Sequence, residues 1–267
     1  MKTVVITGSA RGLGLEMAKN FRKNNYNVVI SDINVDNLYK AEMDLKKIKS
    51  KAKVQMEVCD VSKSKDVKAL ADSAKKVFGN IDIWINNAGI NQPDKLIWEL
   101  STDEITKMLN VDLKGTMITT KFIMQEMIKQ GSGAIYTVEG HGSNDAIIPG
   151  LSVYGTAKRG LTYFISALAK EAENSQHDII IGKLSPGIMI TDFLVNSFCD
   201  KKIELSTKNK KIYNILGDYP DVVAKFLVDK MINNTSNNVR ISWLTTRKAA
   251  WRFVRSIFKK RDFFNEK

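Results

Sequence analysis

Tyr154 and Lys158 stand four residues apart in Tyr154-Gly-Thr-Ala-Lys158, inside a stretch from Val153 to Ala172 whose apolar spacing predicts a helix. At that spacing both side chains leave the helix on one face. A free phenol ionises near a pKa of about 10, too high for ready proton exchange at neutral pH, but a neighbouring ammonium favours the phenolate. The pair therefore suits a group that gives a proton in one direction and takes it in the other.

A second set of residues suits a dinucleotide. Thr7-Gly8-Ser9-Ala10-Arg11-Gly12-Leu13-Gly14 follows an apolar run and opens a helical pattern. Gly8 permits a tight strand exit, Gly12 lets backbone approach a pyrophosphate, and Gly14 lets helix and strand pack closely; the helix N-terminus supplies N–H donors. Asp32 closes the next apolar run, just before Ile33, where a carboxylate can accept hydrogen bonds from the adenosine ribose. Arg11 points the other way, towards the extra phosphate of NADP. A carboxylate about 4 Å from that phosphate would repel it by roughly 1 to 4 kcal/mol per charge pair. Asp32 outweighs Arg11, so NAD is the expected cofactor and NADP the alternative.

These groups need a scaffold, and the rest of the chain supplies one. Apolar, β-branched runs at Thr3 to Thr7, Asn27 to Ser31, Lys53 to Val58, Ile81 to Ile85, Ala134 to Val138 and Ile179 to Leu184 read as strands buried on both faces. Between them Gly12 to Asn24, Asp36 to Ser50, Lys63 to Phe78, Asp103 to Gln130 and Val153 to Ala172 read as helices. The alternation predicts an α/β fold, a Rossmann-type doubly wound parallel sheet with helices on both faces. One domain is expected over residues 1–245, with a substrate lid around 193–217 and a basic, aromatic tail over 246–267. In the lid, Phe193, Leu194, Phe198, Ile212, Tyr213 and Leu216 offer apolar surface.

In order and spacing, the glycine turn, Cys59-Asp60-Val61, Asn86-Asn87-Ala88-Gly89, Asn110-Val111, the Tyr154/Lys158 motif and Pro186-Gly187 with Thr191 resemble the short-chain dehydrogenase/reductases over roughly residues 1–195. The resemblance implies that Asp60 and Val61 hold the adenine and that Asn87, Ala88 and Gly89 line the cofactor. Tyr154 and Lys158 flank the nicotinamide and its ribose, and Pro186, Gly187, Ile188 and Thr191 meet the carboxamide end. It gives Asn110 a place in a proton path to Lys158. A serine about thirteen residues before the tyrosine is usual in the family; here Glu139-Gly-His-Gly-Ser143 occupies that neighbourhood. Ser143 is the expected oxygen-binding donor, with His141 as its alternative.

That loop, Leu184 to Phe193, Tyr219 to Leu227 and Arg240 to Thr245 are similar to the chlorophyll b reductase branch. The expected reaction is hydride transfer between NAD(H) and an alcohol or carbonyl of a bulky lipophilic, steroid-like or polycyclic substrate. NADPH-dependent carbonyl reduction of the chlorophyll b reductase type is one alternative; a cofactor-sensing protein without turnover is another. Family habit implies a homodimer or homotetramer.

The 267 residues are 43% hydrophobic and 26% charged, without an apolar run of membrane-span length. Met1-Lys2-Thr3 runs straight into Val4-Val5-Ile6, which argues against a secretory leader. Cys59 and Cys199 have neither disulfide-framework nor metal spacing, so no metal is expected and the cytoplasm is the simplest home. The net charge is +12, much of it gathered between Arg240 and Lys267, where Trp251, Val254 and Phe258 fall at helical spacing. A helix docked by that apolar stripe is expected there. Peripheral attachment to an anionic membrane is the alternative, and nucleic acid is disfavoured.

Overall fold

A computed structural model describes residues 1–93, 95–191 and 207–264. Among them β1 (Thr3–Thr7), α1 (Gly12–Lys23), β2 (Asn27–Asp32), α2 (Val35–Lys47), β3 (Val54–Val58), α3 (Ser64–Phe78) and β4 (Ile83–Asn86) alternate as expected. Then come α4 (Thr102–Met108), α5 (Thr116–Gln130), β5 (Ser132–Val138), α6 (Ser152–Asn174), β6 (Asp178–Ser185), α7 (Thr207–Leu216), α8 (Pro220–Ile232), β7 (Val239–Ser242) and α9 (Thr246–Phe258). The strands form one parallel sheet in the order β3-β2-β1-β4-β5-β6-β7. The order reverses between β1 and β4, which opens a crevice beyond their carboxyl ends.

Both faces of the central strands are buried, which is why those strands are largely apolar; β3, expected to be buried on both faces, is an edge strand that is only half-buried, with Val58 exposed. Val4, Ile6, Val28 and Ile30 pack with Leu13, Met17 and Phe21 of α1 and with Leu227 of α8. Val5, Val29, Trp84 and Ile135 pack on the opposite side with Leu70, Ile123 and Ile165. Each such side chain contributes about 1.5 to 3 kcal/mol when fully buried.

Three further features depart from the sequence expectation. The helix expected over Asp103 to Gln130 is two helices joined by a π-helical segment, Leu109–Gly115. The seventh strand, β7, is a four-residue edge strand whose burial alternates weakly, so it carries no long apolar run to reveal it. The third departure concerns α9. Trp251, Val254 and Phe258, expected to face the body, are 57%, 58% and 86% exposed, so the docked apolar stripe is not what holds this helix.

Its polar face holds it instead: Arg252 pairs with Asp218 at 2.6 Å and donates to the Leu216 carbonyl at 2.8 Å. Phe263 and Phe264, just beyond α9, stack on Tyr219 and Tyr213. Tyr213, expected either to offer apolar surface to a ligand or to pack within the lid, has Phe264 of the C-terminal segment beside it. Phe193, Leu194, Phe198 and Cys199 lie outside the described residues. Among those described, no helix is long and apolar enough to cross a membrane.

Candidate active site

The glycine turn fits an anion. Gly8 has φ +62, and a Cβ there would lie 2.6 Å from the Ala88 Cα. A Cβ on Gly14 would lie 2.5 Å from the Gly8 carbonyl oxygen and 2.6 Å from Asn87 Nδ2. Only glycine lets these three backbone segments meet. The first turn of α1 has no capping side chain at Arg11 and no acidic residue, leaving N–H dipoles for a phosphate. A cleft of about 410 Å³ between Gly12 and Thr191 is lined also by Glu16, Tyr219 and Asp221.

Other expected cofactor residues turn out to build the cradle. Ser9 is fully buried: its hydroxyl donates to the Ile6 carbonyl at 2.7 Å and accepts from the Ser31 N–H at 3.0 Å, clamping β1 to β2. Leu13 packs its side chain into the core. Asn87 donates to the Thr7 and Gly8 carbonyls at 3.0 and 2.7 Å. Thr7 Oγ1 accepts from the Asn87 and Ala88 N–H groups. Asp32 sits at the end of β2 and accepts from the Asn34 N–H at 3.1 Å, with Ile33 exposed beside it. Burial opposes ionisation of Asp60, but hydrogen bonds from Ser62 and Lys63 outweigh it and hold the carboxyl below its usual range. Val61 is buried against the π-helical segment, close to Gly115. Beyond β6, Gly187 passes close to Leu244, while Ile188 and Ile190 bond through their backbone to Asp218.

Tyr154 and Lys158 are 6% and 7% exposed, and the ammonium lies 5.4 Å from the phenol ring centroid. Lys158 Nζ donates to Asp112 Oδ1 at 3.1 Å, and Ile90 N–H donates to Asp112 Oδ2 at 3.3 Å. Asp112 is fully buried. The π-helical segment thus sends a buried carboxylate to Lys158, two residues beyond Asn110, the residue the family resemblance marks. The buried side chains of this region include Met108, Asp112, Thr116 and Thr119, while Asn110 is partly buried.

Burial disfavours charge on both members of this pair. For Lys158, Asp112 and Tyr154 outweigh burial and hold the ammonium up, so it stays charged. The Asp112 carboxyl is raised by burial, against the pull of Lys158. Burial also raises the Tyr154 phenol; Lys158 lowers it and Asp112 raises it further.

The Ser143 hydroxyl donates to the Lys158 carbonyl at 3.4 Å and accepts from the Gly140 N–H at 3.3 Å, contacts that tie the loop to α6. His141 is different: burial keeps its imidazole below the usual pKa, and its Nε2 is buried without a hydrogen-bond partner. A buried nitrogen without a partner, in the loop whose Gly140 lies against Tyr154, suits a ligand donor or acceptor.

Two further residues were missed by sequence reasoning. Gln92, 1% exposed, accepts the Val153 and Tyr154 N–H groups on its side-chain oxygen, each at 3.1 Å, capping the helix that carries the tyrosine. No motif spacing marks it, because it caps a helix sixty residues away. Gly140 lies so close to the Tyr154 hydroxyl that an added methyl would occupy its position. Gly140→Ala is accordingly expected to cut kcat at least tenfold by displacing the hydroxyl while leaving the cofactor cradle intact; steady-state rates alongside NADH binding check this. Cys59 takes no part: burial, with Asp66, Asp60 and Glu57 nearby, pushes its thiol up to about 12.

A family model described as short chain dehydrogenase matches residues 2–202. A probable chloroplastic chlorophyll(ide) b reductase of Arabidopsis thaliana is 32% identical over 281 residues, 99% of this chain and 55% of its own length. A chloroplastic chlorophyll(ide) b reductase of Oryza sativa subsp. japonica is 35% identical over 254 residues, 92% of this chain and 72% of its own. The chain spans about half the length of the first curated relatives it matches. Among solved structures, levodione reductase superposes with a TM-score of 0.81 at 24% identity, covering 93% of this chain and 98% of its own. NAD+-bound xylitol dehydrogenase follows at 0.79 and 21%, covering 91% and 97%. At such identities the likeness is one of fold.

Proposed function

The chain belongs to the short chain dehydrogenase family, on its chlorophyll(ide) b reductase-like branch, and on that premise we propose that it transfers hydride between NAD(H) and an alcohol or carbonyl of a bulky lipophilic molecule. The observation that carries the reading is the buried Tyr154–Lys158–Asp112 array beside a glycine cradle that fits a pyrophosphate.

The nicotinamide, when bound, supplies or accepts the hydride. Gly8, Gly12, Gly14 and the N–H groups of α1 would hold the pyrophosphate, Asp32 the adenosine ribose and Lys158 the nicotinamide ribose. Tyr154 donates its phenolic proton to the substrate oxygen in reduction and removes it in oxidation. Lys158, charged and close to the phenol, stabilises the phenolate left after donation. Asp112 fixes the lysine's position, and Gln92 fixes the helix. His141 offers Nε2 to the substrate oxygen in place of the usual serine.

Asp32 supports NAD over NADP. Fluorescence titration is expected to show tighter binding of NADH, and Asp32→Ser to narrow the gap by at least about tenfold through removal of the repulsion on a 2′-phosphate. Tighter NADPH binding by the unaltered protein would refute the preference. The chlorophyll(ide) b reductases aligned over 92–99% of the chain favour a second reading, NADPH-dependent reduction of a carbonyl on a large flat macrocycle. A screen of hydroxysteroids, polycyclic alcohols, ketones and a formyl-bearing tetrapyrrole, followed at the nicotinamide absorbance band, separates the two. No turnover with any of them would favour a cofactor-binding role without catalysis.

A further inference from the structure

We propose that α9 is a docking surface for an anionic lipid bilayer, laid on the membrane by its apolar face. The helix is amphipathic, yet it is oriented opposite to a helix of a closed globular surface. Its polar side holds it to the body through the Arg252–Asp218 ion pair, reinforced by Arg261 on the other Asp218 oxygen at 3.0 Å. Its apolar side looks outward: Phe253, Ile257 and Phe258 are 47%, 75% and 86% exposed, with Trp251 and Val254 beside them. A surface helix ordinarily turns its apolar stripe to the core. Contiguous aromatic and aliphatic exposure of this kind marks an interaction site.

The charges select the occupant. Residues 246–261 contain seven cations and no acid. A second copy joined symmetrically through this face would set that charge against itself. A nucleic acid would satisfy the cations but leave the phenylalanines in water. An anionic bilayer satisfies both, since aromatics enter the headgroup and acyl boundary while lysines and arginines meet lipid phosphates. A cavity of about 950 Å³ beside the helix is lined by Lys210, Lys211, Lys248 and Lys259 with Trp243 and Phe264, and also by Asp262 and by Asp218, which Arg252 and Arg261 already pair, so cations outnumber acids beside apolar surface. Lys248 lies over the Trp243 ring. Burial, with Arg252 and Arg261 nearby and Asp218 opposing them, lowers its ammonium to about 8.

The test is co-sedimentation of the full chain with vesicles of phosphatidylcholine alone or with a third phosphatidylglycerol, at about 0.15 M salt. The mixed vesicles are expected to carry the protein down and the neutral ones to do so much less. Phe253→Ser/Ile257→Ser/Phe258→Ser and, separately, Arg255→Gln/Lys259→Gln/Lys260→Gln are each expected to weaken partitioning about tenfold or more. Both sets lie on exposed positions away from the candidate active site, so NADH binding should be retained and reports the fold independently of lipid. Failure of the unaltered chain to sediment with the mixed vesicles overturns the proposal, as does sedimentation untouched by both triple variants. A drop in oligomeric mass caused by the serine variant would assign the face to a second copy instead.

Discussion

Tyr154→Phe is expected to lower kcat by roughly two to four orders of magnitude, the range a positioned general acid or base contributes, while NADH affinity stays as it was. The reasoning is steric as much as chemical. The phenol is buried between Gly140 and Lys158, so a phenylalanine ring fills the same space and removes only the proton donor. Lys158 keeps its bond to Asp112, and the glycine cradle lies on another element. The pH dependence follows from the direction of the Tyr154 shift. Burial raises the phenol and Lys158 only partly offsets it, so the group is protonated at neutral pH, the form that carbonyl reduction needs. Alcohol oxidation needs the phenolate, so its rate should rise towards alkaline pH and that limb should vanish in Tyr154→Phe. Substantial turnover by this variant would remove Tyr154 from the mechanism and the proposed function with it.

Much of the scaffold was legible because its causes are local. Five of the first six strands are largely buried apolar runs, the edge strand β3 being half-buried, and the glycine turn joins β1 to α1 where backbone contacts demand glycine at Gly8 and Gly14. What the sequence hid depends on contacts between distant segments. Gln92 is an ordinary loop residue until β4 and α6 are brought together and it caps the tyrosine helix. Ser143 reads as a donor by position, yet its hydroxyl is turned to the Lys158 carbonyl. The outward stripe of α9 violates the usual inside-out rule, and contacts to distant segments, the Arg252–Asp218 pair foremost, explain which face wins. Asp112 carries no family signature of its own, but the spacing from Met108 to Asp112 to Thr116 puts that aspartate on the buried face, two residues beyond the asparagine the family pattern marks.

Asp112 carries the second large expected effect, on stability as well as rate. Asp112→Ala leaves the Lys158 ammonium buried without its carboxylate, and breaking such a pair costs about 3 to 5 kcal/mol, a large part of a typical domain's stability. A urea midpoint should fall accordingly. If the loss comes from the orphaned charge, removing both charges in Asp112→Leu/Lys158→Met should restore most of the midpoint but not activity, since apolar replacement of a whole buried pair is often near neutral. Asp112→Asn separates stability from chemistry. The amide keeps an oxygen for Lys158 Nζ but removes the negative charge that raises the Tyr154 phenol. With that charge gone, the phenolate forms more readily, so the alkaline rise of alcohol oxidation should begin at lower pH. In the reduction direction, the decline with rising pH should begin at lower pH as well. A purely structural Asp112 would lower the urea midpoint in the alanine variant yet leave the pH profile of the asparagine variant where it was.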